Sequence, residues 1–397
     1  MSYRNFKQRI LFMKSELASK FIFLQRIKGK KSMDSDFNLA EYLSDGIESM
    51  IKRALKASFK NPKESITIAK FALSCKTARK KRRNFEKRGE HIPSFLIASI
   101  TSSCNLNCKG CYAKMLEPCH EHGTEKQLEK PEWIKIFKEA GNIGISFLLL
   151  AGGEPLMRQE IIEAAAKFKN LMFPIFTNGT LINEEYLSLF DNNRNLLPIL
   201  SIEGLENFTD QRRGAGVYSK LMAVMEEMKR RDILFGASIT VTKENIVQIT
   251  EDLFLSKLYL EGCKVIFFVE YVPVSAETKY LAPTDKERIY LAEALRLIRI
   301  RFEDMILISF PGDEKSSGGC LAAGRGFFHI NPYGKTEPCP FSPYSDMDLR
   351  KNSLREALKS PLFKKLHDNN ILLQQHEGGC VLFEQAEEVK KLCNYIN

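Results

Sequence analysis

The sequence has no run of about 18 apolar residues, the length a membrane-spanning helix needs, so no spanning helix is expected. It also lacks a continuous apolar opening with a small-residue cleavage site. Arg4, Lys7 and Arg9 lead into a mixed amphipathic stretch, which does not read as a secretory signal. No internal repeat or low-complexity tract is evident, which sets repeat architectures aside. Acidic residues are scarce in the first quarter: residues 1–90 hold 23 Lys and Arg against 9 Asp and Glu, a net +14. The remainder carries 36 basic and 40 acidic residues, so the whole excess behind the formal net charge of +10 sits at the N-terminal end. A main body that coats nucleic acid is not built that way, and the basic run 76–88 has no interleaved aromatics, so nucleic acid is not an expected partner.

What is present bounds the chain further. Its 397 residues, 44% hydrophobic and 27% charged, can bury a sizeable core and fit one large α/β domain with attachments. Ten cysteines in a Lys-rich chain with no secretory signal point to metal ligation or buried thiols in a reducing cytoplasm, not to a disulfide framework.

Residues 1–93 read as a basic helical extension. Phe6, Ile10, Met13, Leu17, Phe21 and Leu24 recur at three- and four-residue steps, with Lys7, Lys14, Lys20 and Lys28 beside them. A second helix is expected from near Asp36 and a third after Pro62. From Phe95 strand-like runs appear at 95–100, 146–150, 173–177, 197–202, 235–241 and 264–270. Helical stretches fall between and after them, at 131–141, 158–170, 183–191, 217–231, 244–259 and 284–302. Six such units imply an α/β fold with a parallel sheet, open or curled into a partial (β/α)6 barrel over residues 94–304, with ligand groups at the C-terminal strand ends. Residues 305–397 form a separate C-terminal part. There a Gly-rich loop (312–326) leads to a short hairpin turning at Tyr333-Gly334, and a last helix is expected over 383–396.

The sharpest feature is the run Ser103-Cys104-Asn105-Leu106-Asn107-Cys108-Lys109-Gly110-Cys111-Tyr112 after the first strand. Three thiolates on one short loop can converge on a metal centre. An iron–sulfur cube normally takes four, so three leave one iron open for a non-protein ligand. A structural zinc site completed by Cys119, His120 or His122 is the alternative, and with it a zinc-stabilised α/β binding protein.

With Gly152-Gly153-Glu154-Pro155 at the second strand end, the triad resembles the cluster motif of the radical S-adenosylmethionine (SAM) enzymes. The resemblance spans about residues 94–300. It implies that Cys104, Cys108 and Cys111 hold a [4Fe–4S] cluster, that Tyr112 is the adjoining aromatic, and that Gly152, Gly153, Glu154 and Pro155 contact the SAM amino group. It further implies ligand roles for Asn178 after the third strand, for Ser201 near the ribose, for Arg212 in an Arg-Gly turn, and for the Val241 backbone at adenine. Glu203 stands where related enzymes carry Asp. The implied activity is reductive cleavage of SAM to a 5′-deoxyadenosyl radical that abstracts hydrogen from substrate, with reduced flavodoxin or ferredoxin as electron donor.

A second group, Cys320-x13-Gly334-x4-Cys339, resembles the opening of the SPASM and twitch extensions, which hold auxiliary iron–sulfur clusters. The dense later cysteine run of a full SPASM module is absent; Cys380 and Cys393 remain. The resemblance implies one auxiliary [4Fe–4S] cluster on Cys320, Cys339 and Cys380, with Cys393 either completing the set or packed as a thiol. A zinc site on the same four thiols is the alternative. Cys75 and Cys263 read as buried small hydrophobes. Glu270, Tyr271 and Arg325 are candidates to face substrate on position alone.

The leading substrate is a peptide or other bulky molecule, and a membrane lipid is the runner-up. For the basic extension three uses stand open: packing on the barrel, peripheral contact of residues 1–31 with the inner membrane surface, or docking of an acidic partner.

Overall fold

The computed structural model describes residues 39–57, 62–115, 126–273, 276–311, 318–374 and 380–394. The amphipathic stretch at 1–31 and Cys119, His120 and His122 lie outside them. Among the described residues no helix is long and apolar enough to cross a membrane.

One ten-stranded sheet organises the chain. Its strands are β1 (Phe95–Thr101), β2 (Phe147–Gly152), β3 (Phe173–Thr177), β4 (Leu196–Ser201), β5 (Gly236–Val241), β6 (Val265–Glu270), β7 (Ile306–Phe310), β8 (His329–Ile330), β9 (Lys335–Glu337) and β10 (Met347–Asp348). They run in the order β10-β9-β8-β1-β2-β3-β4-β5-β6-β7. From β8 to β7 every pairing is parallel, and β9 and β10 add antiparallel strands at one edge.

Each of the six expected strands is present within a residue or so of its expected bounds. The seventh, β7, begins two residues past the expected barrel boundary, where the run Ile306-Leu307-Ile308-Ser309-Phe310 pairs with β6. Helices alternate with the strands as the apolar periodicity requires. The stretch 244–259 is broken at Glu251 into Ile246–Thr250 and Asp252–Leu260. The polar helix Glu206–Arg213, with a single buried residue, carries no apolar stripe that periodicity could detect.

The sheet curls. Phe176 of β3 and Phe267 of β6 are three strands apart, which in a flat sheet is about 14 Å. Their ring centroids are 5.1 Å apart. Phe327 touches both Phe95 of β1 (5.2 Å) and Phe310 of β7 (5.9 Å), so one side chain spans the first and seventh strands. No pairing joins the outer strands to each other, and the result is a partial barrel with Leu96, Ala98, Ile100, Leu148, Leu150 and Ile175 fully buried.

Local chemistry sets the elements. Helix Lys130–Ile143 begins with a Glu129/Glu132 capping box and a proline in its first turn, and stops at Gly144 in the left-handed region. The β8–β9 hairpin turns where expected: Gly334 has φ 87°, and the Asn331 side chain accepts from the backbone of Tyr333 and Lys335.

The described part of the N-terminal extension packs on the barrel. In helix Pro62–Glu86, Phe71 meets Phe147 of β2, and Arg82 and Lys81 donate to the carbonyls of Gly144 and Gly141. Arg79 pairs with Glu48 of helix Leu39–Ala57. Of the basic run 76–88, Arg79, Lys81 and Arg82 are engaged in packing this helix, while Lys76, Lys80, Arg83, Lys87 and Arg88 are exposed.

Candidate active site at the strand ends

The triad loop leaves β1 and is held in place by β2. The Gly153 and Glu154 N–H groups donate to the carbonyls of Thr101 and Ser103, each at 2.8 Å. This explains the two glycines by a close approach of backbone to backbone: a Cβ on Gly152 would lie 2.2 Å from the Thr101 oxygen.

Glu154 is only 1% exposed. Its carboxylate accepts from Thr177 Oγ1 (2.6 Å), Asn178 N (2.7 Å) and Leu156 N (3.0 Å), and burial raises its pKa against these donors. It clamps the ends of β2 and β3 together. Asn178 Nδ2 donates to Asn105 Oδ1 at 2.9 Å, which ties β3 directly to the triad loop.

The thiols of Cys104, Cys108 and Cys111 are half-buried. Burial raises the Cys104 pKa, and Glu154, Cys108 and Cys111 push the same way against one N–H donor, from Leu106. Three thiolates on one loop bring negative charge that a metal centre balances, so the donor set fits an iron–sulfur centre. As placed, no three His, Cys, Asp or Glu side chains among the described residues are drawn tightly enough to enclose an ion. The fit rests on the donor chemistry and on the position of the loop.

Positive charge gathers on the other side of the loop. Glu203, 1% exposed, accepts from Arg212 (2.6 Å), from Arg213 Nε (2.9 Å) and Nη2 (2.5 Å), and from the Thr240 N–H (2.9 Å). Arg213 Nη1 lies 4.0 Å from Cys108 Sγ, and the Arg212 carbonyl accepts from Lys109 N. Burial works against the charge of Arg212, but Glu203 and the Cys108 and Cys111 thiols more than offset it, and its pKa is raised. A pocket lined by Lys109, Glu203, Phe208, Arg212, Thr242 and Asn245 opens beside this group. Pattern reading left the Glu203 carboxylate without a partner because Thr240 is 37 residues away in sequence.

The other expected positions fall around the same rim. Ser201 ends β4, half-buried, and its hydroxyl makes no hydrogen bond to a described residue. Val241 ends β5, and its carbonyl accepts from Tyr271 N at 2.9 Å. Glu270 pairs with Arg288 at 2.5 Å, and Arg325 donates to the Cys320 carbonyl at 2.6 Å. Tyr271 is 3% exposed and rests against Gly110, with its buried hydroxyl lacking a hydrogen-bond partner. Position alone marked Tyr271, but nothing in the sequence placed it against the triad loop.

Tyr112 faces the C-terminal part of the chain. Its ring packs edge-on against Phe341 at 5.0 Å. Burial raises its pKa, with Cys111, Cys339 and Glu337 adding to the effect. Cys320, Cys339 and Cys393 are buried and Cys380 is half-buried. Cys393 Sγ lies 3.6 Å from the Ser345 carbonyl. Near Cys339, the buried hydroxyls of Thr336 and Ser342 have no hydrogen-bond partner. Cys75 and Cys263 are core thiols, as expected.

Residues 98–255 match the family model of the Radical SAM superfamily. The chain carries a radical SAM domain. It is 28% identical over 331 residues to an AdoMet-dependent heme synthase of Methanosarcina barkeri, covering 76% of this chain and 90% of that protein. A PqqA peptide cyclase of Rhizobium meliloti is 25% identical, over 66% of this chain and 72% of its own. Streptococcus suis SuiB bound to S-adenosylmethionine superposes with a TM-score of 0.63 at 17% identity, covering 89% of this chain and 88% of that one. SuiB bound to its precursor peptide SuiA gives 0.60 at 16% identity, covering 97% and 89%. These likenesses identify the curled sheet as the radical SAM partial barrel. The matched domain, residues 98–255, is that of a superfamily whose enzymes use S-adenosylmethionine and a [4Fe–4S] cluster.

Proposed function

We propose that this enzyme abstracts hydrogen from a peptide or other bulky substrate. The observation that carries this reading is the likeness to a peptide cyclase over two-thirds of the chain, a longer stretch than the matched family domain. The SuiB fold, solved with a precursor peptide, adds support.

Cys104, Cys108 and Cys111 hold the barrel cluster, which supplies the electron that cleaves S-adenosylmethionine. This chain's own groups do the placing. Gly152 and Gly153 let β2 carry the triad loop, while Glu154 and Asn178 fix the loop to β3. The backbone of residues 152–155, the Ser201 hydroxyl, Arg212 and the Val241 backbone form the cosubstrate rim, with Tyr112 beside it. Residues 94–304 together with β7 act as the barrel, the rest of 305–397 as an auxiliary-cluster part and 1–93 as the extension. Cys320, Cys339 and Cys380 would hold one auxiliary [4Fe–4S] cluster, and Cys339 lies in the same stretch as the buried hydroxyls of Thr336 and Ser342, which have no partner among the described residues. Reduced flavodoxin or ferredoxin supplies electrons.

A second reading is favoured by a separate observation. The heme synthase likeness covers 90% of that relative, which makes a tetrapyrrole the alternative bulky substrate.

Anaerobic reconstitution followed by iron and sulfide assay tests the cofactor assignment. About eight irons per chain fit two cubes, whereas four with stoichiometric zinc remove the auxiliary cluster. Mass spectrometry of products after incubation with iron coproporphyrin III, and separately with a precursor peptide encoded beside the gene, decides the substrate. A product from the porphyrin and none from the peptide overturns the peptide reading.

A further inference from the structure

Two side chains reach the triad loop, Arg213 from the end of helix Glu206–Arg213 and Tyr271 from just past β6. Arg213 is oriented by Glu203, which takes its Nε and Nη2 at 2.9 and 2.5 Å and leaves Nη1 4.0 Å from Cys108 Sγ. Glu203 is itself fixed by the Thr240 N–H, so the guanidinium has little freedom to turn away. Tyr271, at the end of β6, lies so close to Gly110 that a Cβ there would be 2.5 Å from the phenol oxygen. Its hydroxyl is buried and has no hydrogen-bond partner among the described residues.

We propose that Arg213 and Tyr271 are positioning residues that raise the reduction potential of the cluster on Cys104, Cys108 and Cys111. The inference rests on the triad assignment made above. Adding an electron to a thiolate-bound cluster makes an anionic centre more negative. Hydrogen bonds to its sulfurs and nearby positive charge favour that state, and the low dielectric of the interior strengthens both. One carboxylate, Glu203, faces two guanidiniums, so the group keeps a net positive charge beside Cys108. The Tyr271 hydroxyl, packed against Gly110 of the same loop, supplies the second donor.

The test is a dye-mediated redox titration of the anaerobically reconstituted full chain, followed by electron paramagnetic resonance. The barrel cluster is identified as the signal that added S-adenosylmethionine perturbs. Arg213→Gln and Tyr271→Phe should keep the wild-type iron content, yet each should make reduction about tenfold less favourable, a fall of about 59 mV for a one-electron couple. Arg213→Lys keeps the charge and should recover most of the Arg213 effect. Potentials unchanged in both Arg213→Gln and Tyr271→Phe, with iron retained, overturn the proposal. Should Arg213→Gln fail to hold iron, an unchanged potential in Tyr271→Phe, with iron retained, overturns the proposal for the pair. A triple Cys104, Cys108 and Cys111 to Ala variant that still shows the perturbed signal would instead overturn the triad assignment.

Discussion

A Cβ placed on Gly153 would stand 2.1 Å from the carbonyl oxygen of Ser103, the residue before the first cysteine of the triad. The second strand end and the cysteine loop therefore share a space that no other side chain fits. Gly153→Ala must push the loop away from β2 or lose the 2.8 Å bonds from Gly153 and Glu154. The expected outcome is loss of about four irons per chain and of most 5′-deoxyadenosine formation. Gly46→Ala serves as control. It lies in helix Leu39–Ala57 with open space around it, and should be neutral or stabilising by up to about 1 kcal/mol. Wild-type iron in Gly153→Ala would show that the loop tolerates the displacement.

Thiol reactivity should separate the cysteines sharply in metal-free protein. Burial pushes Cys75 up to about 11 and Cys263 up to about 12. A raised thiol pKa leaves the neutral, unreactive form dominant at every pH below it, so neither ionises appreciably at pH 7.5. Maleimide followed by peptide mapping should modify Cys104, Cys108 and Cys111 first and leave Cys75 and Cys263 untouched until denaturant is added. Rapid native labelling of Cys75 would mean that helix Pro62–Glu86 does not stay docked on β2.

How much of this was legible in the sequence follows the range of the interactions. The triad and residues 152–155 are local strings that can be recognised without their partners, and they marked the site. The strands were legible because buried parallel strands are short continuous apolar runs. The roles of Glu154, Glu203 and Tyr271 were not, since each is set by a partner on another strand end. The sequence offers a carboxylate two residues after Ser201 but cannot say that two arginines and Thr240 take it up. In the same way the basic run 76–88 looked like a free charge patch. Arg82 in fact donates to Gly144 and Ser146, more than 60 residues away.

The extension is fastened to the barrel by a buried ion pair. Glu64 of helix Pro62–Glu86 accepts from Arg194 at 2.6 Å, with side-chain exposures of 4% and 6%. It also accepts from the Leu234 N–H. Burial raises the Glu64 pKa even with Arg194 beside it, so the carboxylate relies on that partner to stay ionised. Arg194→Met should cost about 3 kcal/mol, because the buried charge loses its counter-ion. Glu64→Gln should cost less, since a neutral amide is left in place of a charge. Denaturant titration of the two variants checks the order, and equal costs would place the pair nearer to solvent than its burial indicates.

The C-terminal hairpin depends on a second buried network, joining residues 230 positions apart. His329 of β8 bonds Ser99 of β1 through Nε2 (2.8 Å) and Glu337 of β9 through Nδ1 (2.7 Å), and Asn331 donates to the other Glu337 oxygen at 2.8 Å. All four are buried. The ring thus bridges a hydroxyl and a carboxylate, one through each nitrogen. His329→Leu keeps the volume but strands a hydroxyl and a carboxylate in the interior, at about 1–3 kcal/mol for each. His329→Gln can still donate to Glu337 and accept from Ser99, so its loss should be smaller. Glu337 lies two residues before Cys339, so the hairpin disturbed in His329→Leu is the one that carries an assigned auxiliary ligand. The expected result is a chain with about four irons instead of eight. The resonance signal perturbed by S-adenosylmethionine should be intact, and His329→Gln should keep both centres. Loss of that signal in His329→Leu, with the remaining iron insensitive to S-adenosylmethionine, would show that the network supports the triad loop rather than the hairpin.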